Sequence, residues 1–117
     1  MEQVVKEIKA IIQPYVLDEV INALKQIPQL PGVTVSEVKG FGRSRAVDVA
    51  ERVVEGAHDY ARKIKLEIVV PDDLLESTLQ AIVAHAQRGN PGDGKIFVST
   101  VDDVIKLRTG ERGKDAI

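Results

Sequence analysis

Two stretches of the chain repeat one pattern of apolar and polar positions. Ile8-Lys9-Ala10-Ile11-Ile12 leads to Pro14, Leu17 and Glu19, and Ile64-Lys65-Leu66-Glu67-Ile68-Val69-Val70 leads to Pro71, Leu74 and Glu76, so both share the frame Pro-x-x-Leu-x-Glu. After each frame the apolar residues recur at three and four positions: Leu17, Val20, Ile21 and Leu24 in the first, Leu75, Leu79, Ile82, Val83 and Ala86 in the second. That spacing predicts two amphipathic helices lying on one core. In 62–70, Ile64, Leu66, Ile68 and Val70 alternate with Lys63, Lys65 and Glu67, which predicts a strand with one face under the helices and one mixed face. Residues 33–43, bounded by Pro28, Pro31 and Gly32, read as a further strand, and 95–100 as another.

The order is β-α-β, an intervening segment, then β-α-β. It predicts an α+β, ferredoxin-like split βαβ domain (βαββαβ), an antiparallel sheet with both helices on one face. The uncovered face invites symmetric association of copies. Asp72 and Asp73 are expected to N-cap the second helix, with Glu76 as the capping-box partner of Asp73. Tyr15 and Phe97 are expected in the core and His85 on the surface, while Phe41, between two glycines, fits either hinge packing or ligand contact.

The intervening segment 44–61 is too long for a hairpin turn, and long polar connections in compact domains are commonly functional or mobile. Val47, Ala50, Val53 and Val54 keep helical spacing, which predicts a short amphipathic helix ending near Gly56. Asp48, Glu51, Arg52 and Glu55 would then form i,i+3 and i,i+4 pairs along its solvated face.

At 117 residues, 44% of them hydrophobic with only two Tyr and two Phe, the chain suits one domain with tightly packed Val, Ile and Leu layers. The formal net charge of −2, with both signs interspersed, argues against nucleic acid and against an anionic membrane surface as partners. Without cysteine there are no disulfides, thiol nucleophiles or thiolate metal sites, and with only His58 and His85 a stable zinc centre would need carboxylates or another subunit. No apolar run suits a signal peptide or a membrane span, so a soluble cytoplasmic protein is expected.

Two glycine-rich segments are candidate phosphate cradles. Gly89-Asn90-Pro91-Gly92-Asp93-Gly94-Lys95 precedes a strand, and Arg108-Thr109-Gly110-Glu111-Arg112-Gly113 lies near the C-terminus. Glycines let backbone N–H groups approach an anion, and a neighbouring Lys or Arg supplies countercharge.

Four ordered segments carry a family resemblance: Val38-Lys39-Gly40-Phe41-Gly42-Arg43, Val69-Val70-Pro71-Asp72-Asp73, Gly92-Asp93-Gly94-Lys95-Ile96-Phe97-Val98 and Arg108-Thr109-Gly110-Glu111. With them the chain resembles the PII signal-transduction proteins over nearly its whole length. The resemblance implies a homotrimer that binds ATP or ADP (or AMP) between subunits, with Mg²⁺ as a companion ion. It also implies control of a target transporter or enzyme through a T-loop at about 42–61, with a B-loop at about 88–95 and a C-terminal loop at about 106–117, all within one domain, 1–117. Gly40, Phe41, Gly42 and Arg43 would flank the nucleotide, Gly92, Asp93, Gly94 and Lys95 would wrap its phosphates, and Lys63 matches the family lysine between the phosphates and the 2-oxoglutarate pocket. Arg108 matches a phosphate-binding arginine. Lys106 stands where a second arginine is common, keeping charge but losing the bidentate fork.

Departures from the family pattern mark this chain. Ser44 replaces the glutamine that helps hold Mg²⁺ and 2-oxoglutarate, and its hydroxyl has a shorter reach. Gly56 falls where the family's uridylylated tyrosine would be, which rules out uridylylation at that position. Arg88 replaces the hydroxyl residue that opens the second family signature. These residues, with Arg45 and His58 on the same loop, favour a non-enzymatic adenylate sensor with a small-anion effector such as bicarbonate. The alternatives within the family are a 2-oxoglutarate-sensing nitrogen regulator and a metal-efflux-linked protein. An enzyme reading would place Lys63, Asp93 and Arg108 around a hydrolysed nucleotide, yet no spacing supplies a nucleophile with its base.

Overall fold

A computed structural model of the protein describes residues 4–42 and 51–117. Arg43, Ser44, Arg45, Val47, Asp48 and Ala50 lie outside the described residues. The chain runs β1 (Val5–Ile12), α1 (Leu17–Lys25), β2 (Thr34–Gly40), β3 (Arg52–Glu55), β4 (His58–Pro71), α2 (Leu75–Ala86) and β5 (Gly94–Val101). Short 3₁₀ turns at Pro14–Val16 and Asp72–Leu74 lead into the two helices. The repeated Pro-x-x-Leu-x-Glu frame therefore builds the same joint twice, a strand end followed by a tight turn and a helix.

All pairings are antiparallel, in the order β2-β4-β1-β5, with β3 paired to β4. Ile12 aligns with Ile64 and Gly94 at one end of the sheet, and Val5 aligns with Pro71 and Val101 at the other. This is the ferredoxin-like α+β arrangement. Ile8, Ala10, Ile12, Ile64, Leu66, Ile68 and Val70 point to one face and are buried against Val16, Val20, Leu24, Ile82 and Ala86. Burying each Ile or Leu side chain contributes about 1.5–3 kcal/mol, so this single layer holds the fold.

Four expectations are corrected. Neither Asp72 nor Asp73 caps α2: the 3₁₀ turn takes up these residues, the Leu75 N–H donates to Asp72 O, and Leu74 stands at the N-cap. The hydroxyls of Ser77 and Thr78 donate to Leu74 O at 3.2 and 2.7 Å instead. Tyr15 and Phe97 are exposed, at 56% and 55%. Phe97 pairs with Lys9, on the sheet face that the helices leave uncovered, whereas its neighbour Ile96 pairs with buried Ala10. Val83 is exposed as well, and the buried stripe of α2 runs through Thr78, Ile82 and Ala86.

The fourth correction concerns the intervening segment. Its described part, from Glu51 on, forms a β-hairpin and not a helix: Val53 pairs with Tyr60, and Glu55 pairs with His58 across the two-residue turn Gly56-Ala57. Gly56 has φ +60 and Ala57 does not share a positive φ, the pattern of a type II′ turn. β-Branched Val53 and Val54 suit the extended backbone. Arg52 bonds Asp59 across the hairpin at 3.0 and 3.1 Å, and Lys39 bonds Glu55, so the expected helical charge pairs are replaced by cross-strand ones. Because Ala61 pairs with both Gly40 and Arg52, β2 and β3 occupy opposite edges of β4 there, and the hairpin continues β4 beyond the end of β1.

Candidate functional site

The first glycine-rich loop folds around one carboxylate. Asp93 Oδ2 accepts the backbone N–H of Arg88, Gly89 and Asn90 at 2.8, 2.9 and 3.2 Å, and the Asp93 N–H donates to Asn90 O at 3.2 Å. The backbone bond from Arg88, joined by those from Asn90 and Gly89, holds the Asp93 carboxyl below its usual range. Three donors that a phosphate cradle would use are thus taken by the chain itself. The loop is organised before any ligand arrives.

Gly94 has a packing role. Its φ is +117, and a Cβ there would lie 1.8 Å from the Ile11 carbonyl oxygen. Only glycine lets β5 start this close to β1. Lys95, one residue on, is exposed and pairs with Ile11 on the uncovered sheet face.

Lys63 reaches this loop from β4, donating to Gly92 O at 2.7 Å. Burial pushes its ammonium below the usual lysine range, against the opposing pull of the Asp93 and Glu51 carboxylates. Gly40 closes β2 opposite Ala61, so Gly40, Phe41 and Gly42 leave the sheet at this same end. Phe41 is 84% exposed, its ring 6.2 Å from Tyr60, and Lys39 lies 5.1 Å over the Tyr60 ring. His58 is exposed beside the Gly56-Ala57 turn, with its ring 6.3 Å from Tyr60. Of the expected site residues, Gly40, Phe41, Gly42, Lys63, Gly92, Asp93, Gly94 and Lys95 therefore gather at one end of the sheet.

Lys106 and Arg108 do not. Their segment leaves β5 at Val101, roughly 23 Å from Gly94 by seven steps of about 3.3 Å. The second glycine-rich segment is a small hairpin that uses its own donors: Lys106 N–H bonds Glu111 O, Thr109 and Gly110 N–H bond Lys106 O, and Gly113 N–H bonds Val104 O. Arg112 clamps Asp103 and, with the Val104 and Gly113 backbone, holds that carboxyl below its usual range. This segment offers an anion its side chains, Lys106 beside Glu111 at 3.7 Å and the exposed Arg108, and not a backbone cradle.

Sequence reasoning missed the tie of the first loop to α1. Glu19 Oε2 accepts from the Arg88 guanidinium at 3.2 Å and lies 3.2 Å from His85 Nδ1. Arg88, then His85, holds the Glu19 carboxyl below its usual range. Glu19 and Arg88 are 69 positions apart, so no local pattern announces the pair.

Residues 5–111 match the family described as nitrogen regulatory protein P-II. The chain belongs to the P-II family. A nitrogen regulatory protein P-II from Bradyrhizobium diazoefficiens is 50% identical over 112 residues, covering 96% of this chain and 99% of that protein. One from Rhodospirillum rubrum is 49% identical over the same shares. Among solved structures, a B. subtilis GlnK–ATP complex aligns at TM-score 0.77 with 25% identity, covering 100% of this chain and 99% of that one. Arabidopsis thaliana PII bound to citrate aligns at TM-score 0.77 with 40% identity, covering 97% and 92%. In this P-II chain β3 and the start of β4 form a hairpin turning at Gly56-Ala57. Among the described residues no three His, Cys, Asp or Glu side chains group to hold a metal, and no helix is long and apolar enough to cross a membrane.

Proposed function

We propose that this P-II protein is an adenine-nucleotide-binding regulator, not an enzyme, that controls a transporter or enzyme through its 42–61 loop. The observation that carries this reading is the bond from Lys63 to Gly92 O, which joins a partly buried ammonium to a preorganised loop at the root of the T-loop hairpin. Phosphates seated there meet Lys63 and Lys95, while Phe41 supplies an exposed aromatic face beside them. Arg108 and Lys106 lie at the far end of β5, so the full set of cations closes only when a neighbouring copy supplies the second half. A homotrimer, in which copies cover one another's open sheet faces, meets that need. ATP bound to the GlnK relative supports the choice of adenylate.

A small anion is the second effector in this proposal. Ser44, with its short hydroxyl, favours one as compact as bicarbonate over 2-oxoglutarate. A second reading, a nitrogen regulator that senses 2-oxoglutarate with Mg²⁺-ATP, is favoured by the similarity to nitrogen regulatory proteins P-II that are 44–50% identical over 96% of the chain. Calorimetric titration with ATP, ADP and AMP, each alone and with Mg²⁺ plus bicarbonate or 2-oxoglutarate, separates the two. Adenylate binding strengthened by bicarbonate alone supports the first, strengthening by 2-oxoglutarate supports the second, and no adenylate binding sinks both. Light scattering tests the assembly, for which we expect three times the 12.8 kDa chain mass.

A further inference from the structure

Arg88 is held from two sides. Its backbone N–H donates to Asp93 Oδ2 at 2.8 Å, at the centre of the loop ahead of β5, and its guanidinium donates to Glu19 Oε2 at 3.2 Å, on α1. His85, in the last turn of α2, brings Nδ1 within 3.2 Å of the same Glu19 oxygen. The stretch between α2 and β5 needs such ties, because Gly89, Gly92 and Gly94 all take positive φ and the helix ends at an extended Gln87. Glycine backbone gives up more freedom on ordering than any other. Lys63 ties the far side of the loop through Gly92 O at 2.7 Å, and Glu19 ties the near side through Arg88. The Glu19 and Arg88 side chains are 51% and 34% exposed, and an ion pair so placed adds little to global stability. Its effect falls on the backbone of Arg88, whose N–H is one of the three that Asp93 Oδ2 accepts.

We propose that Glu19 is a positioning residue of the candidate nucleotide site: from α1 it holds Arg88, and thereby the start of the loop that Asp93 closes and Lys63 joins. The inference rests on this loop receiving the nucleotide phosphates, as proposed above, and adds the residue of the first helix that sets its place. Glu19 carries a negative charge, so its direct action on a polyphosphate is repulsion. Its action through Arg88 has the opposite sign, because a loop already in place spares the ligand the entropy of ordering it. The direction in which affinity moves therefore separates the two. Ligand affinity and the placement of α1 against the end of α2 are linked by the same pair, and each can bias the other.

Calorimetry with ATP on the full chain compares wild type, Glu19→Ala, Glu19→Gln, Arg88→Ala and the double variant. We expect Glu19→Ala to bind ATP on the order of two- to fivefold more weakly, although loss of its charge alone would tighten binding. Glu19→Gln, which keeps an acceptor oxygen for the guanidinium, should lose less. In the Arg88→Ala background Glu19→Ala should cost nothing further, because the pair acts as one unit. Without ligand, hydrogen exchange at the Arg88, Gly89 and Asn90 amides should quicken in Glu19→Ala while the urea midpoint stays unchanged. Equal or tighter ATP binding by Glu19→Ala, or a loss that persists in the Arg88→Ala background, would overturn the inference; with the wild type binding ATP normally, the adenylate reading stands. A wild type that does not bind ATP would overturn both.

Discussion

Asp93 and Arg88 close the loop ahead of β5: the Asp93 Oδ2 accepts the Arg88 backbone N–H at 2.8 Å while the Arg88 guanidinium reaches Glu19 on α1 at 3.2 Å. One residue thus joins a loop, by its main chain, to a helix, by its side chain. The depressed Asp93 pKa fixes the sign of the pH dependence. A carboxyl whose folded pKa lies below its unfolded value of 3.8 contributes stability above that value and loses it as pH falls through the folded pKa. The amide resonances of Arg88, Gly89 and Asn90 should therefore shift together on acidification below about 3.8. In Asp93→Asn that transition should vanish, and affinity for ATP at pH 7 should drop, as calorimetry would read. An unchanged titration of these amides in the variant would show that another group organises the loop.

Gly94→Ala tests the close approach of β5 to β1. A Cβ 1.8 Å from the Ile11 carbonyl oxygen, at φ +117, forces the backbone apart and removes the flanking ladder bonds. The expected cost is about 3 kcal/mol or more, read as a lower urea midpoint with an unchanged slope. Gly40→Ala is the control, because nothing lies within 4 Å of the added methyl, and it should change the midpoint little.

Gly56→Tyr restores the residue type that the family carries at this position. Type II′ geometry requires a positive φ there, which costs an L side chain about 1–2 kcal/mol. The substitution should weaken cross-strand contacts between Val53 and Tyr60 in NMR spectra while leaving the protein's global unfolding midpoint within error. A hairpin that survives unchanged would mean that the Arg52–Asp59 and Lys39–Glu55 pairs, and not the turn, set its register.

The elements that sequence periodicity revealed are those whose pattern lasts long enough to choose a period. Ile64 to Val70 alternates through four apolar positions, and Leu17 to Leu24 and Leu75 to Ala86 complete two or more helical turns. Val47, Ala50, Val53 and Val54 offer only a short match, and the partner of Val53 and Val54, the extension of β4, is set by tertiary pairing. Phe97 was misplaced because bulk and apolarity suggest burial, while its parity relative to Ala10 and Ile96 depends on register. The site divides in the same way. The resemblance marked Lys63 and Gly92–Lys95 as candidates, but the Lys63–Gly92 bond spans 29 positions and the Glu19–Arg88 bond 69, and neither leaves a local trace.

The separation of Lys63 from Arg108 along the sheet yields the sharpest test of assembly. If each site takes Lys63 from one copy and Arg108 from the next, Lys63→Ala and Arg108→Ala each disable every site in a pure oligomer. Mixed by co-refolding, the two variants form rings in which some interfaces join an intact Lys63 to an intact Arg108. At a one-to-one ratio about one quarter of the interfaces should be intact, because heterologous contacts draw each half from a different copy. Calorimetry on the mixture should then recover wild-type ATP affinity with about one quarter of the wild-type stoichiometry. If both halves came from one chain, mixing would restore nothing, since every chain would carry one defect.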